Sequence, residues 1–580
     1  MTADNMPSLS LENLIELAQK WADTDPDPAT VNELRVLMAD SNEAGLRQCF
    51  ELPIVFGTAG LRGIVGPGPG HMNLAVVRRV TRGLCDYLAE NQLAERPVVV
   101  GYDARLDSAR FANEAIAVLR AGGYAVIGFS GAVPTPLVAF AALAQGVSSG
   151  IMVTASHTPP EYNGYKVYGA TAIQIVSPVD TRIAEHMNRL PPARDIPVQY
   201  QMDARKERML GAECVAAYVD AVLDQRPKHV DQTLRIAYTP LHGVGWNTLQ
   251  VLFHAAGYAD VQPVPSQVEP DGLFPTVRFP NPEEPGTLDL GMQFAETIGA
   301  HVLIANDPDA DRLALALPDA KGRWHALSGN QIGVILTDYL LDRAPATNSG
   351  RQPYVVTTLV SSPMVDAVTD SRRAHLERTM TGFKWLWTTA LELSKDESRA
   401  FAIAWEEALG YSTHTAVRDK DGIAAGLIAA DWVAQCLASG LLPWERLGQL
   451  YRQHGAWASR QVNVNCLGAD GASAMRRALD VLGAVPPSTI DGTKVARFED
   501  YRQGAEQRPY WRGQADLFAI HLSDASRVLL RPSGTEPKLK LYIDVPAEVR
   551  PADDPFEVLE QSGQRAEQLA RSLIGSLRLA

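Results

Sequence analysis

The sequence predicts an α/β protein of four domains: three similar α/β domains with mixed, mostly parallel sheets, followed by a C-terminal α+β domain. Three observations predict it. Short runs rich in Val, Ile and Ala alternate with helical patterns along most of the chain, which is the signature of βαβ units. The runs are continuously apolar, as strands covered on both faces must be. Beyond residue 443 the alternation gives way to one strand pattern after another before a last helix. At 580 residues the chain also exceeds what a single core supports and allows about three to five domains.

Residues 1–50 read as a helical N-terminal extension. In 51–200, Pro97-VVVGY, a helix over Ala109–Leu119, Gly123-YAVIGF, a helix over Leu137–Ala144 and Ile151-MVT form the first α/β set. No Asp, Glu, Lys or Arg occurs between Arg120 and Glu161, but Gly and Pro cut that run into pieces too short to span a bilayer, so it reads as buried sheet and packed helix. In 201–322, Leu234-RIAYTP, a helix near Trp246–Ala256 and His301-VLIA repeat the pattern. In 323–442 it recurs as a helix near Gln331–Leu341, Tyr354-VVTT and Phe401-AIAW. In 443–580, Gln461-VNVN, Leu517-FAIHL, Arg527-VLL and Lys538-LKLYID are strands. The boundaries fall in Leu190–Gln201, Asp319–Trp324 and Ala438–Trp444, where Pro, Gly or polar residues break the pattern.

The 53 Lys and Arg against 67 Asp and Glu give a net charge of −14. That leaves no basic footprint for nucleic acid and requires anionic ligands to be met at local positive sites. Cys49, Cys85, Cys214, Cys436 and Cys466 lie far apart and form no C-x-x-C pair or disulfide framework. The N-terminus has no basic n-region and carries Asp4 and Glu12 where a signal peptide is apolar. A cytoplasmic protein without a membrane partner is expected.

Directly after an apolar strand stands Asn306-Asp307-Pro308-Asp309-Ala310-Asp311-Arg312. Carboxylates at i, i+2 and i+4 repel one another, so a loop that gathers all three implies a cation, and all-oxygen ligation suits Mg²⁺ or Ca²⁺. A solvated acidic turn is the plain alternative. Its position at a strand's C-terminal end, where open α/β sheets bind ligands, favours the metal. An EF-hand is excluded, because its sixth position would be Arg312 rather than Gly and its twelfth Pro318 rather than Glu.

A second segment, Thr154-Ala155-Ser156-His157-Thr158-Pro159-Pro160-Glu161-Tyr162-Asn163-Gly164-Tyr165-Lys166, also follows an apolar strand. Ser156 there can be a nucleophile or phosphoryl carrier, with His157 and Lys166 supplying proton transfer and positive charge; an ordinary polar loop is the alternative. Gly146-Val147-Ser148-Ser149-Gly150 matches G-x-S-x-G but precedes its strand, whereas a nucleophile elbow follows one. Near the C-terminus, Arg531-Pro532-Ser533-Gly534-Thr535-Glu536-Pro537-Lys538 combines hydroxyls, a glycine and flanking cations, a set suited to a phosphate or else to a charged β-turn. Neither a Walker A loop nor a dinucleotide fingerprint occurs. Weaker signals are Phe56-Gly57-Thr58-Ala59-Gly60-Leu61-Arg62-Gly63 and Gly101-Tyr102-Asp103-Ala104-Arg105, whose arginines reach an anion or end in surface ion pairs. Thr381-Gly382-Phe383-Lys384-Trp385 and Glu406-Glu407-Ala408-Leu409-Gly410 are suited to sugar hydroxyls. Trp385 and Trp405 are core residues by default.

In this order the segments resemble the α-D-phosphohexomutase superfamily over about residues 50–545, and most of all its longer branch of type-two phosphoglucomutases, phosphopentomutases and glucose 1,6-bisphosphate synthases. The resemblance implies four domains around a central cleft, with Ser156 as phosphoryl carrier and Asp307, Asp309, Asp311 and the phosphate on Ser156 as Mg²⁺ ligands. It places Arg62, His157 and Lys166 around the transfer site. Arg312, Gly382, Lys384 and Glu406 would contact the substrate, and Arg531, Ser533, Gly534, Thr535 and Lys538 the non-reacting phosphate. The implied activity is a phosphosugar mutase interconverting sugar 1-phosphate and 6-phosphate, with glucose as the first choice and catalytic glucose 1,6-bisphosphate as activator. Phosphomannomutase, phosphopentomutase and glucose 1,6-bisphosphate synthase are the alternatives, and a non-catalytic sugar-phosphate-binding protein the remote one. The implied partner is a small phosphosugar, and the chain a monomer or dimer. Two departures stand out: Ala408 replaces the serine of G-E-x-S-G, and Thr158 replaces the asparagine of S-H-N-P.

Overall fold

Three short helices open the chain, Leu11–Thr24, Pro28–Ala39 and Glu43–Phe50, each started by a side-chain cap from Ser10, Asp27 or Asn42. They enclose their own apolar cluster around Leu14, Ala18, Leu34 and Leu46. Arg110, on helix Ser108–Ala121 of the first α/β domain, ties them to that domain through Nη1, which donates to Asp27 Oδ2 at 2.6 Å. In this computed structural model the described residues are 9–57, 60–230, 233–343, 350–466, 471–532 and 538–577.

The first sheet has six strands in the order Leu61–Ile64, Tyr162–Tyr168, Ser149–Val153, Val98–Tyr102, Val126–Phe129, Glu207–Leu210. The last four run parallel and the first two pairings are antiparallel. Helices Leu74–Glu90 and Ser108–Ala121 pack Val77, Val80, Phe111 and Ala115 against Val98, Val100, Ile151 and Val153. Helix Thr135–Ala144, within the uncharged run, is buried over eight of its ten residues. Tyr162–Lys166, read from the sequence as loop, is instead the start of a strand. Its alternation Tyr-Asn-Gly-Tyr-Lys-Val-Tyr puts Tyr165 and Val167 into the core and brings Lys166 to the sheet's other face.

In the second sheet Arg235–Thr239 lies between parallel neighbours Asp260–Pro263 and Val302–Ala305, and Ala314–Pro318 returns antiparallel to Val302–Ala305. In the third, Gln352–Thr358 pairs in parallel with His375–Thr379 and Arg399–Glu406. The C-terminal domain is a six-stranded, wholly antiparallel sheet in the order Ala456–Asn465, Lys538–Ala547, Arg527–Pro532, Phe518–Leu522, Thr493–Asp500, Thr489–Ile490. Helices Gly471–Ala484 and Pro555–Leu577 cover one face. Two compact units result: Met1–Arg226 with Thr233–Ala316 and Gly410–Ala430, and Pro227–Gln232 with Leu317–Leu409 and Asp431–Ala580. All five cysteines are buried as free thiols. Among the described residues no single helix is long and apolar enough to cross a membrane.

Candidate active site

The acidic loop lies at the C-terminal end of Val302–Ala305, inside the first unit. Asn306 shapes it: its Oδ1 accepts from Tyr238 Oη at 2.8 Å, and its Nδ2 donates to Arg312 O at 2.6 Å, closing the loop on itself. Gly243 packs against its middle so closely that a Cβ there would stand 2.3 Å from Pro308 Cα and O. Asp307, Asp309 and Asp311 are all buried, and their ligand atoms lie within 4.8 Å of one another.

Two lysines answer these three carboxylates. Lys166 Nζ donates to Asp309 Oδ2 at 2.7 Å and Asp311 Oδ2 at 2.8 Å, and Lys420 Nζ stands 3.1 Å from Asp311 Oδ2. Burial alone would raise the Asp309 carboxyl, but the Lys166 ammonium holds it far below the usual range. Asp307 has no lysine partner among the described residues, and burial, then Asp309 and Asp311, push its carboxyl well above the usual range. Burial works against the Lys166 charge, and the two aspartates outweigh it, so Lys166 stays protonated. Asp309 Oδ1 and Asp311 Oδ1 are buried without any hydrogen-bond partner. Orphaned carboxylate oxygens beside a third carboxylate fit a hard, oxygen-seeking divalent cation, and Mg²⁺ fits this donor set.

Ser156 reaches the same loop. Its Oγ donates to Asp307 Oδ2 at 2.5 Å and stands 3.2 Å from His157 Nδ1. It is a non-glycine residue in the left-handed region, φ 53°, and 3 % exposed, a conformation that persists only where the surroundings impose it. Those surroundings are explicit. Ser156 N donates to Thr154 Oγ1 at 2.8 Å, and Thr154 Oγ1 donates to Asp103 Oδ2 at 2.6 Å. Arg105 Nη1 donates to Pro159 O at 2.8 Å and Tyr162 O at 3.0 Å, and its Nη2 to Ser156 O at 2.7 Å and Thr158 O at 2.5 Å. The guanidinium also lies over the Phe274 ring, 5.0 Å from its centroid. Arg105 therefore forms no surface ion pair: its Nη donors go to the loop's own carbonyls, and the anion its guanidinium meets is the buried Asp103 carboxylate, 3.5 Å from Nε. Thr158 turns inward, its Oγ1 donating to Ala155 O at 2.9 Å.

Arg62, on Leu61–Ile64, is half-buried and makes no side-chain hydrogen bond or ion pair among the described residues. Burial and the nearby Arg312 and Arg105 bring its pKa down to about 10, so it remains a cation. His157 is held well below its ordinary value by burial and by Arg312 and Arg62, and is neutral at pH 7. Arg312 Nη1 donates to Glu283 Oε2 at 3.2 Å. The Ser148 hydroxyl of the G-x-S-x-G match is spent on Arg96 O and Pro97 O.

The remaining sequence candidates belong to the second unit. Gly382, φ 113°, turns the chain into helix Phe383–Leu393, whose first turn carries Lys384. Glu406 ends Arg399–Glu406 and is buried beside the fully buried Trp405. Trp385 is half-buried. Arg531 Nε and Nη2 both donate to Tyr542 Oη at 3.3 Å. Burial lowers the Arg531 pKa, but Tyr542, Glu407 and Glu406 outweigh it, so these groups are neighbours. Lys538 opens Lys538–Ala547. Ser533, Gly534 and Thr535 lie outside the described residues.

Sequence reasoning missed three parts of the first unit's site. Thr135 Oγ1 donates to Asp309 Oδ2 at 2.7 Å, Lys420 faces Asp311, and Asp103 anchors Thr154. Signals existed for Asp103, in the Gly101–Arg105 segment that was read for its arginine, and for Lys420, in the charged run Asp419-Lys420-Asp421 before Gly422.

Comparison with known proteins accounts for this arrangement. Phosphoglucomutase/phosphomannomutase alpha/beta/alpha domains I, II and III match residues 53–193, 216–321 and 328–452, and the C-terminal domain of that family matches 472–553. A probable phosphomannomutase of Haemophilus influenzae is 36 % identical over 479 residues, covering 82 % of this chain and 93 % of its own. A phosphopentomutase of Pongo abelii is 32 % identical over 91 % of both chains, and a human glucose 1,6-bisphosphate synthase 29 % identical over 91 % of this chain and 89 % of its own. A crystal structure of a putative phosphomannomutase from Thermus thermophilus shares the fold, with TM-score 0.67 at 21 % identity over 90 % of this chain and 99 % of that one. The three α/β domains, the antiparallel C-terminal domain and the aspartate triad thus assign the chain to the phosphoglucomutase/phosphomannomutase family of the α-D-phosphohexomutase superfamily, whose members are intramolecular phosphotransferases acting on sugar phosphates.

Proposed function

We propose that the protein interconverts glucose 1-phosphate and glucose 6-phosphate through a phosphorylated Ser156 and a sugar bisphosphate, with glucose 1,6-bisphosphate as the activator that keeps Ser156 phosphorylated. The observation that carries this reading is Ser156 Oγ held 2.5 Å from Asp307, in a loop whose other two aspartates present orphaned oxygens. A Mg²⁺ bound by Asp307, Asp309 and Asp311 would neutralise charge on the transferring phosphoryl group.

The chain's own residues do the rest. As the Oγ–P bond of Ser156 breaks and phosphorus bonds to a sugar hydroxyl, that hydroxyl's proton needs an acceptor and the Ser156 oxygen a compensating charge. His157, neutral and 3.2 Å from Ser156 Oγ, can accept a proton, and protonated Lys166 supplies charge and a donor. Arg62, a cation with no ion-pair partner among the described residues, suits the phosphoryl oxygens. Glu406, Gly382 and Lys384 take the sugar side. Arg531 and Lys538, with Ser533, Gly534 and Thr535, take the phosphate that does not react. The bisphosphate then reorients and returns its other phosphoryl group to Ser156. A cytoplasmic monomer or dimer completes the proposal.

A pentose phosphate is the second reading. Ala408 offers no hydroxyl to the hexose, and a relative covering 91 % of the chain is a phosphopentomutase. The test is a coupled assay of glucose 1-phosphate conversion with Mg²⁺ and catalytic glucose 1,6-bisphosphate. Turnover that the bisphosphate stimulates and EDTA removes supports the first reading. Negligible turnover with glucose 1-phosphate and rapid turnover with ribose 1-phosphate supports the second.

A further inference from the structure

Between the C-terminal strands Thr493–Asp500 and Phe518–Leu522 the chain makes an excursion, Tyr501–Gly513, containing two single-turn 3-10 segments, Ala505–Gln507 and Tyr510–Arg512. Neither sugar nor phosphate binding as proposed above uses it, yet it is firmly built. Arg508 Nη2 donates to Tyr501 O at 3.1 Å, Gln503 O at 2.6 Å and Gly513 O at 2.9 Å, and its Nε to Arg512 O at 3.1 Å. The same guanidinium lies 4.6 Å from the centroid of the Tyr501 ring.

The tip of this excursion grips the strand that leads to Gly382. Trp511 O accepts from Met380 N at 3.0 Å and from Thr379 Oγ1 at 2.8 Å. Trp511 Nε1 and Arg512 Nη2 both donate to Glu377 Oε1, at 3.2 and 2.6 Å. Glu377 is buried, while the Arg512 side chain is 34 % exposed, so the pair is sheltered on its carboxylate side only. Behind the turn, Met380 and Trp385 pack with Tyr501, Leu517 and Tyr542 in one apolar cluster, and Tyr542 Oη accepts from Arg531. Contacts run from Met380, two residues before Gly382 and held by Trp511, through this cluster to Tyr542 and Arg531, all inside one compact unit.

We infer that the Tyr501–Gly513 excursion fixes the separation between the Gly382–Lys384 turn and Arg531, and so sets the length of sugar phosphate the enzyme prefers. The inference rests on the substrate contacts proposed above. Pentofuranose and hexopyranose phosphates each carry the far phosphate on a single exocyclic carbon, but the hexose ring holds one more carbon, which sets its two ends farther apart by at most one C–C bond, about 1.5 Å, a difference that a stiff spacer rejects and a loose one absorbs. Trp511 and Arg512 are positioning residues here, acting through Glu377 and the Gly382 turn.

The test is the full-length double variant Trp511→Phe with Arg512→Ala, which removes both donors to Glu377 and keeps the aromatic ring. The ratio of kcat/KM for glucose 1-phosphate to that for ribose 1-phosphate should move about tenfold toward unity, carried by KM. Amide exchange in the peptide spanning 379–385 should rise, while the Mg²⁺ concentration for half-maximal rate and the phosphate content of Ser156 stay unchanged. Arg512→Lys, which keeps the ion pair, should retain most of the preference. A folded double variant with its ratio within about twofold of the parent, unchanged exchange at 379–385, or a parent enzyme indifferent to the two sugars overturns the inference. If the parent turns over neither sugar phosphate the functional reading fails instead, and the exchange measurement alone decides whether the excursion holds the turn.

Discussion

Arg105→Lys should cripple turnover while leaving substrate and metal affinity nearly intact. The arginine's planar fork serves four backbone carbonyls, those of Ser156, Thr158, Pro159 and Tyr162, a geometry that a lysine with three donors on a single nitrogen cannot reproduce. At least one buried carbonyl is left unsatisfied, and a lost hydrogen bond to a charged group costs about 1.5–3 kcal/mol, so the loop loses at least about that much local order. The Thr154–Asp103 and Thr158–Ala155 bonds still anchor the loop, so the damage is misplacement rather than unfolding. A displacement of about 1 Å at a reacting oxygen costs on the order of 10²-fold in rate. The expected result is therefore kcat down about 10²-fold, KM and half-saturating Mg²⁺ within about threefold of the parent, and a melting curve lowered by a few degrees. A kcat within about threefold of the parent in a folded Arg105→Lys protein would refute the reasoning that the left-handed Ser156 conformation depends on this clasp.

Ser156→Ala should abolish mutase turnover and leave no acid-stable phosphate on the protein; activity within about tenfold of the parent rules out the phosphoserine route. Gly243→Ala should drive a methyl into Pro308, overpacking that costs about 1–3 kcal/mol, and raise the Mg²⁺ concentration for half-maximal rate about tenfold; an unchanged Mg²⁺ titration would show that the loop yields freely. Burial depresses the pKa of His157, His242, His375 and His454. The unfolded chain therefore takes up protons below about pH 6.5 that the folded one refuses, and stability that is full above pH 6.5 is lost as pH falls through the folded values. Melting temperatures, measured with Mg²⁺ present, should fall from pH 7 to 5.5, and a flat profile over that window would contradict the assignment.

What the sequence disclosed depended on whether partners were neighbours along the chain. The aspartate triad was legible because its members lie within five consecutive residues after an apolar strand, and Ser156 because it occupies the equivalent position in the first domain. Tyr162–Lys166 was misread because Asn163 and Gly164 suggest a turn, although the alternation of Tyr165 and Val167 with Lys166 was present to be weighed. The clasp made by Arg105 was invisible for a different reason: beyond its neighbour Asp103, its acceptors are backbone carbonyls 51–57 residues away, and carbonyls leave no trace in residue identity. The Trp511–Met380 contact was invisible on the same ground. Thr135 reaches Asp309 across 174 residues, a meeting that only the packing of two domains creates.

The five buried thiols distribute unevenly but usefully: Cys49 in the N-terminal helices, Cys85 in the first domain, Cys214 at the start of helix Ala212–Asp224, Cys436 in helix Gly422–Ala438 and Cys466 beside the C-terminal sheet. None is available to an alkylating reagent while its surroundings stay closed. Each thiol is thus a built-in clock for one region, and the order in which the five are labelled in mild denaturant would rank the regions by how readily they open, without a single introduced probe.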